Sequence, residues 1–248
     1  MNLTDFKVLT FDCYGTLIDW ETGISDALTP LADRAGKILT KDQKCETHAR
    51  FEAAQEAETP TLRYSEVLEK VHDRIAQEWG VAPLPVESRA YGQSVKNWPA
   101  FPDSAETLQY LKKHFQLVIL SNVDLVSFRA SSPRLQVDFD QVLTAEEIGS
   151  YKPDLRNFEF MLRKMEAAGY RKGDILHTAE SLFHDHLPAN KMGLASAWIH
   201  RRAGKPGHGA TFPPESMPEY TFRFTSLGEM ARAHQSLLQH RGGAFAVS

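Results

Sequence analysis

The apolar run Val8-Leu9-Thr10-Phe11 stops at Asp12, turns at Gly15, and is followed by no comparable strand until Leu117. The stretch between, from about Thr22 to Gln77, has helical period instead. Ile24, Leu28 and Leu31 share one face, Phe51, Ala54 and Ala57 lie on a second helix, and Val67, Leu68, Val71 and Ile75 on a third. Pro60, Pro83 and Pro85 mark breaks, the pattern is poor from Val86 to Pro99, and Pro99 to Pro102 reads as a return linker. Then the rhythm becomes alternating: a helix from Ala105 to His114, a strand from Leu117 to Leu120 ending at Ser121-Asn122, and a strand at Gln141-Val142-Leu143. A helix from Leu155 to Ala168, a strand opening at Ile175, a helix from Leu187 to Met192 and a strand from Ala195 to Ile199 follow. Tyr220 to Phe224 and Leu227 to Leu238 supply a last strand and helix, after a Gly- and Pro-rich loop over residues 202–218. Repeated strand–helix units require a parallel sheet covered on both faces. The expected fold is α/β, a Rossmann-like doubly wound sheet formed by residues 1–18 and 99–248, with a helical cap over residues 19–98 inserted after the first strand. Ligands of such sheets bind at the carboxyl ends of the strands.

Composition narrows the function classes. A formal charge of −4 on 248 residues carries no electrostatic footprint for nucleic acid or an anionic membrane. No apolar run approaches the ~18 residues that span a bilayer, and the segment before Lys7 lacks the basic start and apolar stretch of a signal peptide. Two cysteines, Cys13 and Cys45, are too few for a zinc site or a disulfide framework, although one disulfide is possible on the count. A reducing, cytoplasmic setting is the expectation.

Four polar features stand at strand ends or before helices: Asp12-Cys13-Tyr14-Gly15-Thr16, Ser121-Asn122, Lys152-Pro153, and Glu180-Ser181 with Asp185. Taken singly each has a plain structural use. An Asp after a strand caps a turn, a Ser-Asn pair caps a helix, and a lone Lys is usually solvated. Taken together, the chain resembles the haloacid dehalogenase superfamily, most closely its L-2-haloacid dehalogenase (type II) branch, over nearly its whole length. The resemblance implies Asp12 as a nucleophile that forms a covalent ester and splits one hard displacement into two steps. Turn N–H groups after Asp12 would hold developing charge. Thr16 offers a hydroxyl, and Lys152 would keep Asp12 ionised. Ser121 would bind the substrate carboxylate, Asn122 would help hold the departing halide, and Asp185 would orient Lys152 and activate water. A cap arginine would meet halide or carboxylate, with Arg50 first and Arg63 next. Trp20, Phe51, Tyr64 and Trp98 would line the pocket or form the core of the cap.

Two positions depart from the pattern. Phosphatases of the superfamily carry a second Asp two residues after the nucleophile; here it is Tyr14, which would wall an apolar pocket. A halide leaves without protonation, so the missing acid argues for dehalogenation. Conversely, Glu180 stands where the branch has Ser and Leu182 where it has Asn, and Glu180 with Asp185 matches the acidic pair of magnesium-dependent members. Asp12, Glu180 and Asp185 would then bind Mg²⁺. His184 and His186 flank Asp185, and at most one can face the site. The resulting expectation is cofactor-independent hydrolysis of short 2-haloalkanoic acids to 2-hydroxy acids, with a small-molecule partner, neither nucleic acid nor membrane, and a homodimer by resemblance. The alternatives are a Mg²⁺-dependent phosphatase or phosphonatase, hydrolysis of a C–F bond or strained ring, and a binding module that kept the fold.

Overall fold

The computed structural model describes residues 1–243, so positions 244–248 of the expected core segment lie outside the described residues. The strands are β1 (Val8–Phe11), β2 (Gln116–Ser121), β3 (Gln141–Thr144), β4 (Ile175–Ala179), β5 (Ser196–Ile199) and β6 (Phe222–Phe224). They form one sheet in the order β3-β2-β1-β4-β5-β6, every neighbouring pair parallel. The order reverses between β1 and β4, which creates the crevice where open α/β sheets hold ligands. Phe11 is level with Ile119 on β2 and Thr178 on β4. The residues after these three strands therefore emerge at one height.

The helices are α1 (Trp20–Arg34), α2 (Lys41–Glu58), α3 (Tyr64–Glu78), α4 (Pro85–Gly92), α5 (Ser104–Leu111), α6 (Leu125–Ser131), α7 (Ala145–Ile148), α8 (Leu155–Ala167), α9 (Leu187–Lys191) and α10 (Leu227–Gly243). Successive strand residues point to opposite faces of the sheet. Leu9, Phe11, Leu117, Ile119 and Leu176 pack on one side with Leu108 and Leu111 of α5 and Leu227 and Met230 of α10. Val8, Val118, Leu120 and Ile175 pack on the other side with Phe158, Met161 and Met165 of α8. Both faces are thus covered, as near-continuous apolar strands require.

Helices α1 to α4 all fall between β1 and β2. Asp19 caps α1 by accepting from the Thr22 N–H at 3.2 Å, and Thr40 with Gln43 forms a capping box on α2. The chain returns beside its point of departure, where Asp19 N–H donates to the Pro99 carbonyl at 2.7 Å. Helix α4 occupies part of the stretch that has no clear sequence pattern. Pro85 starts it from a position whose N–H an α-helix leaves free anyway.

Helix α2 corrects the expected orientation. Ala54 and Ala57 are exposed and Phe51 is only half-buried, whereas Lys44, Cys45, His48, Ala49, Glu52, Gln55 and Glu56 are buried. The polar side of this helix faces inward. Both cysteines are free and buried, so the one possible disulfide is not formed. No helix among the described residues is long and apolar enough to cross a membrane.

Candidate active site

Asp12 follows β1 directly, and its N–H donates to the Thr178 carbonyl of β4 at 3.1 Å. The turn beyond it closes through Leu17 and Ile18 N–H groups, which both donate to the Cys13 carbonyl. Gly15 makes this turn with φ +92°, and a Cβ there would stand 2.8 Å from Trp20 Nε1. Only glycine meets both demands. The turn brings Thr16 back over the carboxylate, where its hydroxyl donates to Asp12 Oδ2 at 2.7 Å and accepts from the Glu180 N–H at 2.9 Å.

Lys152 sits on the loop after α7, is 2% exposed, and is shared between two carboxylates. Its Nζ donates to Asp12 Oδ1 at 3.0 Å, to Asp185 Oδ1 at 2.7 Å and to the Leu120 carbonyl at 3.0 Å. All three ammonium protons are therefore used. Asn122 fixes the backbone of that loop, accepting from Lys152 N–H at 2.7 Å and donating to the Lys152 carbonyl at 3.0 Å. Asp185 lies in a π-helical turn, Leu182–His186, and also bonds His177 Nε2 at 2.9 Å, while His177 Nδ1 meets Thr10 Oγ1 at 2.9 Å. A continuous polar chain, Thr10–His177–Asp185–Lys152–Asp12–Thr16, thus runs from inside the sheet to the crevice.

Burial pushes the Asp12 carboxyl above its ordinary range, opposed chiefly by the Lys152 ammonium. Burial acts against the charge of Asp185 as well, but Lys152 and then His177 outweigh it and hold this carboxyl below the ordinary range. Burial disfavours the Lys152 ammonium, yet its two carboxylates keep it raised and charged. Removing the ammonium would leave two buried carboxylates facing each other, an arrangement that costs several kcal/mol.

Around these groups is a cavity of about 30 Å³, lined by Asp12, Tyr14, Trp20, Glu52, Glu56, Tyr64, Ser121, Asn122, Val123, Lys152, Ser181, His184 and Asp185. The structure therefore brings together Asp12, Tyr14, Ser121, Asn122, Lys152 and Asp185, with Thr16 bonded to Asp12. Trp20 and Tyr64 join them, whereas Trp98 packs under the wall, edge-on to Tyr14 with ring centroids 5.7 Å apart. Tyr14 is fixed by a hydrogen bond from its hydroxyl to Ser131 Oγ at 2.9 Å. Ser121 Oγ, His184 Nε2 and Asp185 Oδ2 are buried and have no hydrogen-bond partner among the described residues. Buried polar groups are seldom left so, and all three residues line the cavity.

The cap-residue and Mg²⁺-ligand expectations are corrected, while of the two histidines flanking Asp185 only one faces the cavity. Arg50 is exposed on the far side of α2, where its Nη2 donates to both Glu78 carboxylate oxygens at 2.7 and 2.8 Å and its guanidinium covers the Phe51 ring. Residues 48, 52 and 56 of α2 turn inward, and position 50 lies about half a turn away from them. Arg63 is exposed and pairs with Glu146, and neither Phe51 nor any arginine lines the cavity among the described residues. His186 turns away, its ring nitrogens held by Ser196 Oγ at 2.9 Å and the Ala179 carbonyl at 3.0 Å, whereas His184 faces inward. Glu180 also turns away: its carboxyl accepts from Thr211 at 2.7 Å, and burial raises its pKa to about 8. A carboxyl so directed does not converge with Asp12 and Asp185. Among the described residues no group of three His, Cys, Asp or Glu side chains is arranged to hold a metal. The donor set proposed for Mg²⁺ does not fit.

The sequence reading missed the inner face of α2. Glu52 Oε1 accepts from Tyr64 at 2.6 Å and lies 3.2 Å from His48 Nε2, and Tyr91 bonds His48 Nδ1 at 2.7 Å. Burial acts against the charge of Glu52, but His48 outweighs it and keeps this carboxyl low. Glu56 is approached by Asn122 Nδ2 at 3.3 and 3.4 Å; burial and then Glu52 push it well above the ordinary range. The signal was present as His48, Glu52 and Glu56 at four-residue spacing, a polar stripe on an otherwise unpatterned helix. His177 was missed too, because a histidine inside a short apolar strand looks like an ordinary core residue.

Comparison with known proteins agrees with this architecture. The family model for haloacid dehalogenase-like hydrolases matches residues 6–177. A curated relative, (S)-2-haloacid dehalogenase 4A of Burkholderia cepacia, is 26% identical over 221 residues, covering 81% of this chain and 85% of the relative. The structure of L-2-haloacid dehalogenase from Xanthobacter autotrophicus with chloropropionic acid covalently bound superposes with a TM-score of 0.74 at 17% identity, over 93% of this chain and 98% of that one. A defluorinating L-2-haloacid dehalogenase superposes with a TM-score of 0.73 at 21% identity, over 93% and 97%.

Proposed function

Because the chain belongs to the haloacid dehalogenase-like hydrolase family, we propose that it hydrolyses a carbon–halogen bond of short 2-haloalkanoic acids through a covalent ester on Asp12. The single observation that carries this reading is the Lys152 ammonium, placed 3.0 Å from Asp12 Oδ1 and 2.7 Å from Asp185 Oδ1, with no acid at position 14. Such a site holds a desolvated carboxylate ready to attack carbon, and it offers Tyr14 where a phosphate-ester leaving group needs a proton donor. The relatives named as haloacid dehalogenases support the substrate class.

In this mechanism Asp12 attacks C2 in line with the departing halide. The new C–O bond forms as the C–halogen bond breaks, and the halide carries off the electron pair. Ser121 Oγ, which lacks any protein partner, receives the substrate carboxylate. With Arg50 outside the cavity, the Asn122 amide, whose second N–H makes only the long Glu56 contacts, turns that N–H to the leaving halide. Water then attacks the Asp12 acyl carbon, oriented by the free Oδ2 of Asp185. Because cleavage occurs at the acyl carbon, C2 keeps the inversion of the first step and a 2-hydroxy acid leaves. The inserted segment, residues 19–98, acts as the cap that excludes water from the first step.

The test is halide release from 2-chloro, 2-bromo and fluoro acids, with and without EDTA, by wild type and Asp12→Asn. Metal-independent release that the substitution lowers by at least about 10³-fold is expected, since the nucleophile is lost. Single turnover in ¹⁸O-water should place label in Asp12 before it reaches a product hydroxyl. Label arriving first in the product would overturn the ester route.

A further inference from the structure

We propose that the α2 wall of the cavity is a cation subsite, where Glu52 and Glu56 receive a protonated nitrogen of the substrate, so that the acid hydrolysed at Asp12 carries an amino group. The inference rests on the reading of Asp12 as a nucleophile toward haloacids, and it specifies which acids.

The case begins with charge. Four carboxyl groups line the cavity, Asp12, Glu52, Glu56 and Asp185, against one ammonium, Lys152. Lys152 has committed its protons to Asp12, Asp185 and the Leu120 carbonyl. The two arginines expected to supply positive charge are bound to Glu78 and Glu146 on the surface. A plain haloalkanoate entering this site brings its negative charge toward the Glu52 carboxylate, and its apolar tail would meet the two carboxyl groups of this wall. Placing like charge or apolar surface against buried carboxylates disfavours a ligand as strongly as good contacts favour one.

The wall also has unfilled capacity. Glu56 is 6% exposed, yet its protein contacts are the long Asn122 bonds at 3.3 and 3.4 Å and a 3.9 Å approach from His184 Nε2. His184 Nε2 itself is buried, partnerless and in the cavity lining. A primary ammonium has three donors and would fill acceptors that the protein leaves open on this side. The Ser121 hydroxyl of the same lining, without a partner among the described residues, receives the carboxylate of the same molecule. Burial and Glu52 hold the proton on Glu56 while the site lacks such a cation, and a bound ammonium would take over the role of that proton. Glu56 and His184 also line an adjoining cleft of about 350 Å³, so a ligand passing inward from that cleft meets this wall.

The experiment compares reaction products, which need no turnover to bind. Affinities of 4-amino-2-hydroxybutyrate and of its uncharged analogue 2-hydroxypentanoate are measured by ligand-observed NMR and calorimetry on the full chain. The ammonium-bearing acid should bind at least about tenfold more tightly, the increment of a charged hydrogen bond. Glu56→Gln, close to isosteric with the protonated side chain, should shrink that preference to about threefold or less while circular dichroism stays unchanged. Glu56→Ala offers the same readout if the amide rearranges. Equal affinities in wild type, tighter binding of 2-hydroxypentanoate, or a preference that survives both substitutions would overturn the subsite. Halide release from 2-chloropropionate, followed separately, distinguishes the two readings. Release with equal product affinities keeps the Asp12 reaction and removes the subsite. An ammonium preference without halide release from any acid keeps the subsite and removes the dehalogenase reading.

Discussion

Glu180 shows how one side chain can look catalytic in sequence and be structural in space. It follows β4 at the position where an acidic ligand or hydroxyl would be sought, but its carboxyl points to Thr211. Burial raises its pKa to about 8, while in the unfolded chain it titrates near ~4.3. The folded state therefore binds more protons than the unfolded state between these values. Stability is fully present below the unfolded pKa and declines as pH rises toward 8. At about 1.4 kcal/mol per unit, the decline is on the order of a few kcal/mol. Glu180→Gln should flatten it: denaturant midpoints of wild type and variant should agree near pH ~5, and the variant should be more stable by about 1–3 kcal/mol near pH ~8. A variant that loses stability equally at both pH values would show that the carboxyl, rather than its burial, matters.

At the level of elements, the helices over the crevice are held by close packing that leaves no room for change. A Cβ on Gly23 of α1 would come within 2.1 Å of Trp98 Cδ1. Trp98 is 1% exposed and stacks edge-on behind Tyr14, so it cannot move aside without disturbing the pocket wall. Gly23→Ala should therefore destabilise the protein by about 1–3 kcal/mol, the usual cost of overpacking, visible as a lowered thermal midpoint. A gain in stability, from better helix propensity alone, would contradict this packing. The same elements show what the sequence could reveal. The sheet was legible because the central strands are largely apolar on both faces and run into polar residues, as at Phe11-Asp12 and Leu120-Ser121. Asp12, Thr16, Lys152 and Asp185 were legible through the resemblance that four polar motifs, each beside a strand or helix start, carry together. Helix α2 was not, since its inward face carries His48, Glu52 and Glu56, and a rule that sends apolar residues inward selects Ala54 and Ala57 instead. Arg50 was misplaced for the same reason: without the true inner face, any cationic residue of the helix could be turned toward the site. Helix α4 lacked a signal because its Pro85 reads as a break from one side and as a first helical residue from the other.

Taken whole, the molecule is closed over its reactive group. A cavity of about 30 Å³ has room for little more than a water molecule or two, so a substrate arriving from the adjoining cleft needs the helices of residues 19–98 to give way. Several polar contacts hold them down besides the Arg63–Glu146 and Asn122–Glu56 pairs. Tyr151 on the core loop donates to the Leu62 carbonyl at 2.6 Å, the Ser65 N–H donates to Asp124 at 3.2 Å, and Arg202 pairs with Glu21 and Asp42. Tyr151→Phe removes the first of these and should weaken the closed form by about 1 kcal/mol. Ligand affinity should fall about fivefold with almost no change in thermal midpoint; a parallel loss of both would mean that the contact supports folding rather than closure. The polar chain from Thr10 through His177 and Asp185 to Lys152 and Asp12 belongs wholly to residues outside the inserted segment 19–98. The partners of the nucleophile and the α2 wall are consequently inherited on separate stretches of chain. Mutation can redraw the inner face of α2 while the nucleophile keeps its surroundings, so a lineage built on this plan acquires new substrates by changing a wall and leaves its reaction intact.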